Sequence, residues 1–169
     1  ASPNSPHYNQ KLAAQYAYNP ETFQKIIQEV APAQKDVTLL VNSADSRRIR
    51  VARKIAEMLS VGQFKVIVNA LSGTAYTNAL SKGNFDLHLG QTKLSPNMDL
   101  SPFFSGGGSL NYGNMGNPRL AALCLDALAN KGNFYNLLKD VAADGRLVPI
   151  IFGSYMVVTK SQSLFDIVY

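Results

Sequence analysis

One cysteine, two histidines and a charged fraction of only 16% leave this chain of 169 residues with little of the equipment that most catalysts need. The lone Cys124 cannot close an internal disulfide, and its place in an apolar helical pattern reads as a buried small residue. His7 and His88 lie far apart, no cysteine or second histidine stands at ligand spacing from either, and neither HExxH nor CxxC occurs. No zinc or other metal site is therefore expected. Neither GGSLN nor FGSYM supplies the Gly-x-Ser-x-Gly turn of a nucleophilic serine, so hydrolase chemistry of that kind is not expected. The glycines at 106–108 lack the Lys-Ser/Thr of a phosphate loop and join no strand directly to a helix, which leaves a flexible turn. Asp86, Asp99 and Asp126 stand apart from other carboxylates, so neither an acid/base pair nor a calcium loop is visible. No apolar run approaches the roughly 18 residues that span a bilayer. The opening ASPNSPHYNQ has neither a basic nor an apolar leader region, and any export signal is expected to have been removed or to lie upstream.

What is present is enough apolar material for a real core: 46% of the residues are hydrophobic, which fits one globular domain. The net charge of +5 is spread out except on one segment, where Arg47, Arg48, Arg50, Arg53 and Lys54 crowd together. Residues 47, 50 and 54 share a helical face and form a basic stripe able to meet phosphates. Yet the opposite face is apolar and no aromatic residue interleaves, so a solvated outer face is the simpler reading and no nucleic-acid partner is expected.

The order of elements is the most informative feature. The first eighteen residues read as an extended or loosely packed lead-in. Asn19 can then cap a helix that has Pro20 at its first position, Phe23, Ile26, Ile27 and Val30 on one face, and Ala31-Pro32 as its stop. VTLLV, residues 37–41, has the continuous branched run of a strand covered on both faces. From Asp45 or Ser46 a helix turns Val51, Ala52, Ile55, Ala56, Met58 and Leu59 inward, and Gly62 supplies its left-handed stop. FKVIVNAL (64–71) is the next strand. Ser72 caps a short helix carrying Ala75, Tyr76, Ala79 and Leu80, closed at Gly83, and FDLHLG (85–90) is the third strand. Each crossover is too long for a hairpin, so the three strands are expected to be parallel neighbours. An irregular stretch rich in glycine and asparagine follows over 95–117. Helices are then expected from Asn117-Pro118 to near Gly132 and from about Asn133 to Gly145, with a last strand at 148–158.

An open parallel sheet binds solutes beyond the carboxyl ends of its strands. The loop after the third strand is placed there, and Gln91, Thr92 and Lys93 offer an amide, a hydroxyl and a cation without reactive chemistry. Asn111 and Tyr112 add an amide and an aromatic edge, while Asn42 and Ser43 after the first strand are weaker candidates. His88, alternating with Leu87 and Leu89, reads as a partly buried, hydrogen-bonded strand residue.

Four segments in this order resemble the extracytoplasmic solute-binding proteins of ABC importers, in the branch of oligopeptide- and dipeptide-binding proteins. They are Tyr18-Asn19-Pro20-Glu21 with its helix, VTLLVNSADSRRIRVARKIAEML, FDLHLG, and LNYGNMGNPRLAALCLDAL. The resemblance implies an α/β, type II periplasmic-binding-protein lobe, a mostly parallel sheet with helices on both faces. It implies the carboxyl-terminal half of a clamshell, with the amino-terminal lobe of the same protein, an ABC permease and a peptide or other small solute as partners. It further implies no enzymatic activity, no cofactor, and an extracytoplasmic place, periplasmic or as a cell-surface lipoprotein. In this frame residues 1–35 form the lead-in and first helix of the lobe, 36–160 the solute-binding body, and 161–169 a tail toward the hinge or missing lobe. The family's peptide binders commonly follow this strand with Gly-Trp and, a few residues on, an aspartate for the peptide's amine. Here Gly90 matches, but Gln91 stands in the tryptophan's place and Leu94 near the aspartate's, leaving Asp99 as the loop's only carboxylate. The resemblance thus stops short of amine recognition and leaves the solute open. Two other readings remain open on the residues alone: an effector-sensing domain of a transcription regulator, and a nucleic-acid-binding module built on the basic helix. A small transferase whose site the sequence hides is a third.

Overall fold

In the computed structural model, residues 3, 5–30, 36–61, 64–130 and 133–153 are described. Three strands alternate with helices in the order the hydrophobic pattern predicts: β1 (Asp36–Asn42), α3 (Ser46–Leu59), β2 (Lys65–Leu71), α4 (Gly73–Lys82) and β3 (Leu87–Leu89). Helices α1 (Gln10–Gln15) and α2 (Pro20–Val30) precede them; α5 (Ser101–Phe104), α6 (Pro118–Ala129) and α7 (Phe134–Asp144) follow. The sheet is parallel throughout, in the order β2-β1-β3. From β1 the chain crosses to one side, and from β2 it crosses back over to the other. Right-handed crossovers in opposite directions put α3 and α4 on opposite faces.

The side chains follow that division. Leu39, Val41 and Val66 pack with Ala52 and Ala56 of α3, and Ile55, Leu59, Val68 and Leu89 close around them. Leu40, fully buried, points to the other face. Each strand of such a sheet must be apolar on both sides where helices cover both, which is why β1 reads as an unbroken apolar run. Asp45 caps α3, accepting from the amides of Arg47 and Arg48, and Gly83 ends α4 in the left-handed conformation at φ +65°. The end of α3 is set by Ser60, whose hydroxyl donates to Ala56 O at 2.7 Å and accepts from Val66 N at 2.9 Å. The expected stop at Gly62 lies outside the described residues, as do Ala31-Pro32 and Gly132.

The chain divides into two compact units. The sheet unit comprises Ala17–Lys93 and Pro102–Pro118; the other comprises Ala1–Tyr16, Leu94–Ser101 and Arg119–Tyr169. In the second, Leu120, Cys124, Ala127, Phe134, Leu137 and Val141 are buried along α6 and α7, and Arg119 pairs with Asp140 at 2.6 Å. Burial pushes the Cys124 thiol up to about 11, helped by the charge of Asp99, so it is an inert packing residue at neutral pH.

Four expectations need correcting. The lead-in is not wholly extended: Asn9 caps α1 by accepting from Leu12 N at 2.9 Å, Leu12 is buried, and His7 stacks on Phe134 with ring centroids 3.9 Å apart. Met58 faces outward, 44% exposed, because the helical arc centred on Ala52 and Ala56 excludes it. The third strand is only three residues long, since the Asp86 carboxylate takes the Thr38 amide at 2.8 Å in place of a ladder carbonyl. Residues 148–153 form no strand; Val148, Ile150, Ile151 and Phe152 are exposed there, and Pro149 cannot donate to a ladder. Residues 154–158 of that expected strand lie outside the described residues.

Candidate binding edge of the sheet

The register fixes what meets at the carboxyl edge. Val41 of β1 pairs with Leu89, the last residue of β3, so Asn42 and Ser43 on one side and the loop opening with Gly90 and Gln91 on the other leave from the same edge. Open parallel sheets bind solutes beyond the carboxyl ends of their strands, and this is the edge from which the β1 and β3 loops leave. Asn42 also pairs with Leu71, and Ser43 N donates to Leu71 O at 2.8 Å, which ties the end of β2 to the same edge. Asn42 Oδ1 accepts from Ala44 N at 2.9 Å, a turn that leads the chain up to the Asp45 cap. Gln91, Thr92 and Lys93 are exposed in the loop that leaves β3.

Behind this edge lies a half-buried aromatic cluster that the sequence did not reveal. The His88 ring nitrogen Nε2 and Tyr76 Oη are joined by a 2.9 Å hydrogen bond. The imidazole has Phe85 at 5.5 Å and Tyr112 at 6.0 Å between ring centroids, the latter edge-on. Burial, reinforced by the Arg48 guanidinium, holds the His88 imidazole below its ordinary value, and burial raises the Tyr76 phenol. Both rings are neutral at pH 7, so the cluster offers hydrogen bonding and stacking but no charge. Arg48 itself is held by Asp45, Nε to Oδ2 at 3.1 Å, and that hydrogen bond keeps the Asp45 carboxyl below the usual range. A Cβ at Gly90 would collide with His88 Cε1, and so the loop carrying Gln91 starts in contact with the imidazole.

The seven candidate side chains fall into two groups. Asn42, Ser43 and Gln91, with Thr92 and Lys93 following, belong to the sheet edge. Asn111 and Tyr112 instead line an open concavity of about 570 Å³ with Leu80, Ser81, Lys82, Gly83, Gly106, Gly113 and Asn114, at the carboxyl end of α4. Tyr112 connects the two groups, because it lines this concavity and its ring also stands edge-on to His88 behind the sheet edge. Asn111 Nδ2 donates to Ser105 O at 3.1 Å, whereas its buried Oδ1 has no hydrogen-bond partner among the described residues. Arg48 and Tyr76 were missed because one reads as a surface cation and the other as a core aromatic. The spacing of Asp45 and Arg48 was the available signal, since a cap residue and a cation three positions on can pair.

No family model matches the sequence, and no curated protein matches it. Solved structures do. AppA from Clostridium difficile, assigned to the peptide-binding proteins, superposes with a TM-score of 0.69 at 14% identity over 85% of this chain and 32% of its own. The pheromone receptor PrgZ, whose structure describes a mode of peptide binding, gives 0.61 at 20% identity, covering 78% of this chain and 27% of that one. The periplasmic murein tripeptide binding protein MppA gives 0.59 at 16%, covering 73% and 26%. This chain thus spans about a third or less of the length of each of the three. At such identities the likeness speaks for architecture, and the architecture is that of an α/β lobe of the type II periplasmic binding proteins.

Proposed function

We propose that this chain is the ligand-binding lobe of a solute-binding protein that delivers a peptide or another small solute to an ABC importer. The observation that carries the reading is the parallel β2-β1-β3 sheet in which Val41 pairs with Leu89, since solutes bind beyond the carboxyl ends of such strands and Asn42, Ser43 and Gln91 follow from there. Support comes from the fold shared with AppA, PrgZ and MppA, each described as binding peptides. Asn42, Ser43, Gln91, Thr92 and Lys93 are the proposed contacts at the edge, and Asn111 and Tyr112 a second contact group in the concavity. These are amides, hydroxyls and a cation, which hold a ligand without transforming it, and the protein is proposed to be a carrier and not an enzyme. The other wall of the site, the permease and an extracytoplasmic location belong to the same proposal. Among the described residues no helix is long and apolar enough to cross a membrane.

The test is calorimetric titration of the longest reading frame containing this chain with defined di- to octapeptides, for the parent protein and the double variant Asn42→Ala/Gln91→Ala. Binding of one peptide class, weakened about tenfold or more by the double change, is expected, since two polar contacts at about 1 kcal/mol each reach that size. Equal binding in both proteins removes the edge as the site. Turnover of a bound solute would refute the carrier reading.

A further inference from the structure

The charge of this chain is concentrated on one helix. Asp45 to Leu59, the cap and body of α3, holds five basic and two acidic residues, a net of +3 out of +5 in about a tenth of the sequence. Two of the cations are answered locally: Arg48 by Asp45 at 3.1 Å, and Lys54 by Glu57 at 3.0 Å. Arg47, Arg50 and Arg53 are exposed, and no carboxylate among the described residues forms an ion pair with them. They follow one another at i, i+3 spacing, so neighbouring guanidiniums stand on adjacent turns and the row spans about 9 Å along the axis. The apolar face of the helix, Ala52, Ala56, Ile55 and Leu59, is spent on the sheet, which fixes this row outward on a rigid support.

We propose that the outward face of α3 docks a carboxylate-bearing face of a partner protein, with Arg47, Arg50 and Arg53 as the recognition row. Three features select that partner class. The row is all arginine, whose planar fork takes an oxyanion, carboxylate or phosphate, in two parallel hydrogen bonds where lysine offers a point charge, and the next two features weigh against phosphate carriers. No aromatic side chain lies in the helix for bases to stack on, as single-stranded nucleic acid requires. The exposed apolar content of α3 is Met58 alone, too little to enter a bilayer interface. The surface is separate from the sheet edge, and it stands whether or not a solute binds there.

The test uses the full chain, a synthetic helical peptide with glutamates at i, i+3 spacing, a single-stranded DNA of similar charge, and vesicles of phosphatidylglycerol and phosphatidylcholine. The variants are Arg47→Glu/Arg50→Glu/Arg53→Glu and Arg47→Lys/Arg50→Lys/Arg53→Lys, each checked for folding by circular dichroism; all three sites are exposed. The expected result is saturable binding of the acidic peptide at near-physiological salt, abolished by the glutamate variant and weakened about three- to tenfold by the lysine variant. Unchanged peptide binding in the glutamate variant overturns the proposal. So does tighter, α3-dependent binding of the DNA or the anionic vesicles, which would assign the row to phosphates, and so does a lysine variant indistinguishable from the parent, which would reduce it to bulk charge.

Discussion

The two compact units are built in opposite ways. In the sheet unit, neighbours in space are mostly neighbours in order: β1, the helix α3 after it and β2, consecutive along the chain, share one core. The second unit assembles distant segments, with Ser5 hydrogen-bonded to Met98, His7 stacked on Phe134, and Asp99 close enough to raise the Cys124 thiol. It also carries most of the exposed large apolar side chains, Tyr16, Leu125, Tyr135, Val148 and Ile151 among them. A repeated strand-helix alternation announces itself through its periods, whereas a core gathered from remote pieces leaves no local signature.

The sharpest way to break this comparison is to remove one buried leucine from each unit. Leu40→Ala in β1 is expected to cost about 2–5 kcal/mol in urea unfolding, and Leu137→Ala in α7 a similar amount. Both side chains are almost fully buried. Amide hydrogen exchange should rise mainly in β1, β2 and β3 for the first and in α6 and α7 for the second. Equal loosening of both units by either change would erase the distinction.

A smaller effect separates ordered from open glycines. A Cβ at Gly108 would strike the Pro102 carbonyl, which also accepts from Leu110 N at 3.1 Å, while Gly107 has open space. Gly108→Ala is expected to cost about 1–3 kcal/mol, and Gly107→Ala less than about 0.5 kcal/mol, both by denaturant melts.

Two pH experiments sharpen the picture of the sheet edge. The folded His88 value lies below the ordinary 6.5, so between those two values the unfolded chain binds more protons and stability falls with falling pH. Its contribution is whole above 6.5 and drains away as pH drops toward the folded value. His88→Gln should flatten that limb of a urea-midpoint profile. The smallest effect belongs to Asp45, whose folded value is depressed by Arg48. Its contribution is present above the ordinary 3.8 and lost as pH falls through the folded value. Asp45→Asn should remove this acid limb, seen as a shallower loss of melting temperature below pH 4.

Much of the fold was legible because its signals are local. The branched run of β1, the helical period from Asp45 or Ser46, the left-handed glycines at 83 and 145 and the Pro20 start each act within a few residues. What escaped depended on distant partners. Helix α1 has six residues and one buried side chain, too few for a period to show. The shortness of β3 follows from the Asp86 side chain reaching Thr38, 48 positions away. At the candidate site, the loop after β3 could be placed from strand order, but the pairing of Asn42 with that loop needs the register, and the His88 cluster needs α4 folded against the sheet. Nothing within the segment LNYGNM shows that Asn111 and Tyr112 line a concavity with the end of α4, or that Tyr112 meets His88.

One consequence of the sheet order concerns handling of the protein. Among the described residues β2 is a border strand with one bare rim, and its Val66, Ile67 and Val68 form a branched, proline-free stretch in which Ile67 is 52% exposed. Such rims recruit other strands, and only Lys65 and Asn69 guard this one. Concentrated solutions of the chain by itself are expected to associate through this rim, and light scattering of the parent against Ile67→Lys checks it.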